Sequence, residues 1–315
     1  MGRPGRARTL VGRGRAISLA HHAEAFAARA ALRLLRSLGP VASSNLLGAL
    51  SRAVGPLLPV SRVADSNLRA ALPALDAAAR RRVVRGVWDN LGRTVGELPH
   101  IAGLHETDAG PGWELVGGDT LRWLAAKGGP AIFFSGHIGN WELLPVAAAA
   151  RGLPVSLFYR PAENKQVDAL ILDLRRQAVR NTAQTDMRLF PKGAAGARQS
   201  LAHLSRGGRL AMLMDQKMND GIEAQFFGRP AMTAPALAVL ALRLRCPVVP
   251  AYVERLNPAR FRVTCEPPLD LPDGADRQAD VAALTQTVND TLERWIRAKP
   301  ESWLWLHRRW PRAST

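Results

Sequence analysis

The chain has 315 residues, 47% of them hydrophobic, which suffices for the core of one large domain or of a domain with an accessory region. Its formal net charge of +17 comes almost entirely from arginine, with lysine only at Lys127, Lys165, Lys192, Lys217 and Lys299. Such a surface attracts polyanions or anionic lipid, and the scatter of basic residues among Leu, Val and Trp favours membrane over nucleic acid. Two cysteines, Cys246 and Cys265, fit neither a disulfide framework nor a metal-ligand spacing, so both are expected as reduced core or strand thiols. No C-x-x-C, Walker loop or G-x-G-x-x-G occurs, which excludes a stored nucleotide and a structural zinc; no metal or cofactor is expected.

Residues 1–60 read as a basic amphipathic, membrane-associated region. Arg3, Arg6, Arg8, Arg13 and Arg15 form an arm with no acid before Glu24 and no continuous apolar stretch, so no signal peptide is expected. The stretch 17–38 is too polar to span a bilayer, but Phe26, Ala27, Ala30, Leu34 and Leu38 fall at helical spacing. That pattern suits a helix lying on a membrane or one facing a core. Gly39-Pro40 is expected to end it; a second short helix over 43–54 stops at Gly55-Pro56, before the apolar 57–60. Residues 61–312 form the main domain. Asp76 caps a helix running toward Glu97.

From about residue 113 apolar strands alternate with helices. Strands are predicted at 131–134, 155–159, 187–190, 210–214, 248–253 and 261–264, and helices at 141–150, 167–179, 194–204, 236–244 and 281–298. The fold class expected is α/β, with a mixed, mostly parallel central sheet flanked by helices and a helical basic N-terminal region. Ligands in such sheets gather at the carboxyl ends of strands. His137, Arg160, Lys192-Gly193 and Asp215-Gln216 all follow predicted strands.

The segment His137-Ile138-Gly139-Asn140-Trp141-Glu142 is the most informative. Residues five apart diverge by roughly 140° on a helix, so the imidazole and carboxylate meet only if His137 lies on a turn and Glu142 on the first helical turn. Gly136 and Gly139 supply the backbone freedom for that turn. A carboxylate-oriented histidine is a general base suited to neutral pH. The plain alternative is a histidine bracing a strand–helix turn. Backbone N–H groups near Gly139 and Asn140 are the candidate oxyanion donors.

Four ordered blocks resemble the late acyltransferases of lipid A biosynthesis, within the lysophospholipid acyltransferase superfamily. They are His-x4-Glu in FFSGHIGNWELLP; Tyr159-Arg160-Pro161 with Asn164, Asp168 and Arg175; Asp215-Gln216 followed by the run from Phe226 to Thr233; and Trp303 to Trp310. The resemblance implies a glycerol-phosphate-acyltransferase-like fold. It also implies transfer of a fatty acyl chain from acyl–acyl carrier protein to a hydroxyl of a lipid A precursor at the inner membrane. His137 and Glu142 would be catalytic. Arg160, Asn164 and Arg175 would bind substrate, the two arginines clamping a phosphate, and Asp215 would orient one of them or support the site indirectly. A mannosylated phosphoinositide is the alternative acceptor, and a non-catalytic basic membrane- or nucleic-acid-binding protein the alternative class.

Overall fold

The computed structural model describes residues 7–159, 163–183, 187–191 and 193–311, with the side chains of 7–19 and of 183 left out. Three helices come first: α1 (Ala7–Val54), α2 (Ser61–Ala71) and α3 (Ala77–Glu97). Asp76 caps α3 as expected, its carboxylate accepting the Ala79 N–H at 2.6 Å. At 39–40 the first helix ends, as expected, and the chain bends. Gly39 takes φ +75°, and Pro40 starts the next segment, where the amide it lacks would have had no helical partner. α1 is thus two helices meeting at a kink, as Gly39-Pro40 predicts, with the second beginning at Pro40. It packs along α3, where Gly92 and Gly96 lie so close to the backbone of Leu47 and Ser43 that a Cβ at either would collide with it.

The rest is a mixed α/β layer structure. In chain order it holds β1 (Gly112–Val116), α4 (Gly118–Lys127), β2 (Ala131–Ser135), α5 (Leu144–Ala150), β3 (Ser156–Tyr159), α6 (Lys165–Ala183), β4 (Leu189–Pro191), α7 (Ala194–Ser205), β5 (Arg209–Leu213), β6 (Ile222–Phe226), β7 (Arg229–Thr233), α8 (Ala236–Leu244), β8 (Val248–Asn257), β9 (Arg260–Cys265) and α9 (Arg277–Ala298). Seven strands form one sheet in the order β1-β9-β8-β2-β5-β3-β4, parallel at every pairing except β8–β9. All five residues of β2 are buried, as a strand covered on both faces must be. Ile132 and Phe134 join the core beneath α8 and α9, while Ala131 and Phe133 join the one beneath α4 and α5.

Two features were not expected from sequence. One is β1 with α4. The other is the β6–β7 hairpin, turned at Phe227 and Gly228, both with positive φ. Its open end is pinned to the body by Arg309, which is fully buried and donates to the Met232 carbonyl at 2.9 Å and Thr233 Oγ1 at 2.7 Å. Both cysteines are free and buried, and burial pushes the thiols up to about 11 for Cys246 and about 12 for Cys265. Among the described residues no helix is long and apolar enough to cross a membrane.

Candidate active site

The site is built by strand register. β2 and β5 run parallel with Ser135 beside Leu213, so the residues two further on, His137 and Asp215, leave the sheet side by side. Asp215 is fully buried. Its Oδ1 lies 2.9 Å from His137 Nδ1, and its Oδ2 accepts the His137 backbone N–H at 3.0 Å and the Trp303 indole N–H at 2.7 Å. A carboxylate on Nδ1 fixes that nitrogen as the protonated one and leaves the lone pair on Nε2. The imidazole keeps 18% of its side-chain surface exposed, so it is within reach of a reactant.

Burial alone pushes the His137 pKa down, but the charge and hydrogen bond of Asp215, helped by the charge of Glu142, outweigh it and raise the net value above 6.5. For Asp215 burial works upward. His137, by charge and hydrogen bond, and the nearby His307 overcome it and hold the carboxyl far below the usual range.

Glu142 therefore does not hold His137. It sits on the 3-10 turn Trp141–Leu143 and takes a bidentate fork from Arg175 on α6, at 2.7 and 2.5 Å. The Trp141 ring lies edge-on to the imidazole, with centroids 5.0 Å apart. The expected imidazole–carboxylate pair is thus replaced by His137 with Asp215, because a buried carboxylate from the neighbouring strand already occupies Nδ1. Two further assignments change with it. Asp215 orients the imidazole and not an arginine, and the fork of Arg175 is engaged by Glu142 instead of standing open as a phosphate clamp.

Asn164 also differs from expectation. It is buried, its Oδ1 caps the first turn of α6 through the amides of Gln166 and Val167, and its Nδ2 donates to the His21 carbonyl and to Glu24 on α1 at 2.8 and 2.9 Å. It ties two helices together and has no amide donor left for a substrate. Arg160 and Lys192 lie outside the described residues.

The loop from 136 to 140 is held on every side. Gly139 takes φ +59° against the Val253 carbonyl, where any Cβ would collide. Its N–H donates to the Ser302 carbonyl at 3.0 Å, so it is engaged and not free as an oxyanion donor. Its carbonyl accepts from Asn90 and Thr94 of α3 at 3.0 and 3.2 Å. Ile138 bridges to Trp303, and the Leu304 N–H donates to the His137 carbonyl at 3.1 Å. Asn140 is fully buried and donates to Glu97 at 2.8 Å, its Oδ1 having no protein partner. Glu97 also accepts from Ser44 at 2.7 Å, from Arg255 and from the Ala259 amide. Glu97, Asn90, Thr94, Ser302 and Trp303 were not anticipated as neighbours of the histidine. The tryptophan run at 303–310 was visible in sequence, and Trp303, Trp305 and Trp310 prove to be buried packing residues.

Beside the Glu142–Arg175 pair, between α5 and α6, lies an apolar slot lined by Leu98, Ile101, Val146, Ala178, Val179 and Met187. It encloses about 10 Å³, roughly the room of one water. Among the described residues no group of three or more His, Cys, Asp or Glu is placed to hold a metal ion.

No curated protein matches the chain. Residues 13–312 match the family described as "Bacterial lipid A biosynthesis acyltransferase", which is nearly the whole length.

Proposed function

The chain belongs to that family of acyltransferases, and from this premise we propose that it moves a fatty acyl chain from acyl–acyl carrier protein to a hydroxyl of a phosphorylated glycolipid, a lipid A precursor, at the cytoplasmic face of the inner membrane. The observation that carries the chemistry is the His137–Asp215 pair at the carboxyl ends of β2 and β5. Nε2 of His137 takes the proton of the acceptor hydroxyl as its oxygen attacks the thioester carbonyl. The tetrahedral intermediate collapses, the C–S bond breaks, and the imidazolium returns that proton to the leaving thiolate. Asp215 fixes the tautomer and stabilises the imidazolium. No acyl-enzyme is required.

Glu142 has two roles in this reading. Its charge raises the basicity of His137, and its fork with Arg175 holds α6 against the turn that carries the histidine. With Gly139 engaged, the amides of Asn140 and Trp141 at the start of the 3-10 turn are the oxyanion donors. An acidic carrier protein is drawn to a chain of net charge +17.

The test offers acyl–acyl carrier protein and acyl–coenzyme A as donors, with a lipid A precursor and a mannosylated phosphoinositide as acceptors. A product one acyl chain heavier than the lipid A precursor, made from the carrier-protein donor, is expected. Acylation of the phosphoinositide alone would keep the mechanism and replace the acceptor. Salt-sensitive oligonucleotide binding without any transfer would overturn the reading.

A further inference from the structure

β4 is the last strand of the sheet, and arginines from both covering layers frame its open side. The connections β3–α6–β4 and β4–α7–β5 advance in opposite directions across the sheet, so a single hand of crossover puts α6 on one face and α7 on the other. Packing agrees. Ala178 and Val179 of α6 join the core that holds Met187, and Leu204 of α7 joins the core that holds Phe190. Arg176 and Arg180 stand one turn apart on α6, Arg188 immediately precedes β4, and Arg206 closes α7; all four are exposed.

Between them runs an open groove of about 670 Å³, with Met187, Leu189 and Phe190 along its floor. No described residue that lines it is acidic. Burial lowers the pKa of His203, and the charges of Arg188 and Arg206 lower it further, so the positive potential reaches beneath the groove.

A charge on an edge strand keeps other strands from pairing with it. Arg188 alone meets that need, and it leaves three arginines on helices unaccounted for. Like charges gathered around an apolar floor repel one another, and an acidic partner relieves the repulsion while covering the floor. Every polar side chain lining the groove is exposed, whereas a small ligand is held by enclosing walls and converging polar groups. A broad basic face of this kind suits a folded acidic protein.

Strand register gives its distance from the chemistry. Phe134 pairs with Met212, Ala211 with Leu157, and Phe158 with Phe190, which sets four strands level. His137 lies three residues past Phe134. The groove floor is therefore roughly 14 Å across the sheet from the imidazole and roughly 10 Å below it. An extended pantetheine arm spans that distance, so a carrier seated here delivers its thioester to the rim without touching the histidine.

We propose that the groove at the β4 edge, framed by Arg176, Arg180, Arg188 and Arg206, is the docking surface for the acidic carrier protein that brings the acyl chain. The identity of the partner rests on the reading above; its seat on this edge is the added claim.

The experiment titrates the full chain with holo acyl carrier protein that bears no acyl chain, so that binding is read without turnover. Transfer is then measured from acyl–acyl carrier protein and from acyl-pantetheine, a donor with no carrier. Wild type is expected to bind the carrier, and more weakly as salt rises. Arg176→Glu with Arg206→Glu, one from each face, should weaken binding and raise KM for the carrier-borne donor by roughly tenfold or more. It should leave kcat, and kcat/KM for acyl-pantetheine, at their wild-type values. Arg81→Glu with Arg85→Glu, exposed on α3 and equal in net charge, should do neither. Arg176→Gln with Arg206→Gln shifts binding in the same direction by a smaller step, and it replaces the reversed pair should that pair not fold. Wild-type carrier binding by the groove variants overturns the proposal. So does an equal loss in the α3 pair, or binding of oligonucleotides or anionic vesicles through these arginines in place of the carrier. Absence of transfer from either donor would remove the reading above, while the titration still decides where the carrier sits.

Discussion

Asp215 is fully buried, and its charge is held by the imidazole, one backbone amide and one indole N–H. A buried carboxylate so provided for is a strong orienting group, and each of its donors tunes how hard it pulls on the histidine proton. Removing the Trp303 N–H leaves the carboxylate more basic and the imidazolium better stabilised. Trp303→Phe is therefore expected to move the acid limb of kcat/KM to higher pH while preserving most of the rate on the alkaline plateau. A general loss of activity with an unmoved limb would show that Trp303 serves packing alone. For the wild type the sign follows from the raised histidine pKa: the base must be neutral, so activity falls with acid through an apparent pKa above 6.5. Glu142 behaves differently. Glu142→Gln leaves the Arg175 fork short of its charge partner, which is expected to cost of order 1–3 kcal/mol for a pair that is not fully buried, visible in denaturant unfolding. It should reduce turnover less than Asp215→Asn does.

Among the elements, those with strong periodicity were legible before any coordinates. β2, β5, β8 and the long helices α3 and α9 fall close to where apolar runs and the Asp76 cap place them. The β6–β7 hairpin was not, because Pro230 within β7 reads against a strand and Phe-Gly is an uncommon two-residue turn. The partner of His137 was hidden for another reason. Asp215 is 78 residues away in sequence, and only the pairing of Ser135 with Leu213 brings it alongside, whereas Glu142 is near in sequence but turned toward α6. Register between distant parallel strands is not written in any local pattern. The segment from Ser302 to Leu304 repeats that lesson, since its bonds to His137, Ile138 and Gly139 cross more than half the chain. The loop they grip has no slack. Gly139→Ala, at positive φ against the Val253 carbonyl, is expected to displace the histidine, lowering stability by about 2 kcal/mol or more and turnover by at least tenfold. Thermal unfolding and steady-state rates check both; a variant that melts and turns over like wild type would show the loop to be pliable.

Across the whole molecule, charge, sheet and helix α1 serve one arrangement. Strand carboxyl ends gather His137 and Asp215, α3 and the C-terminal segment lock the turn that carries the histidine, and α1 borders the same rim. The features of composition readable at once were the arginine excess and the lack of metal or nucleotide motifs. They narrowed the class of partner without locating the chemistry. The most direct measurement of the central claim is single-turnover transfer of a labelled acyl chain from acyl–acyl carrier protein to the glycolipid acceptor, comparing folded wild type with folded Asp215→Asn. The account predicts an ester product from the wild type and a rate lower by roughly two to four orders of magnitude from the variant. An Asp215→Asn protein that forms the ester at the wild-type rate would contradict it.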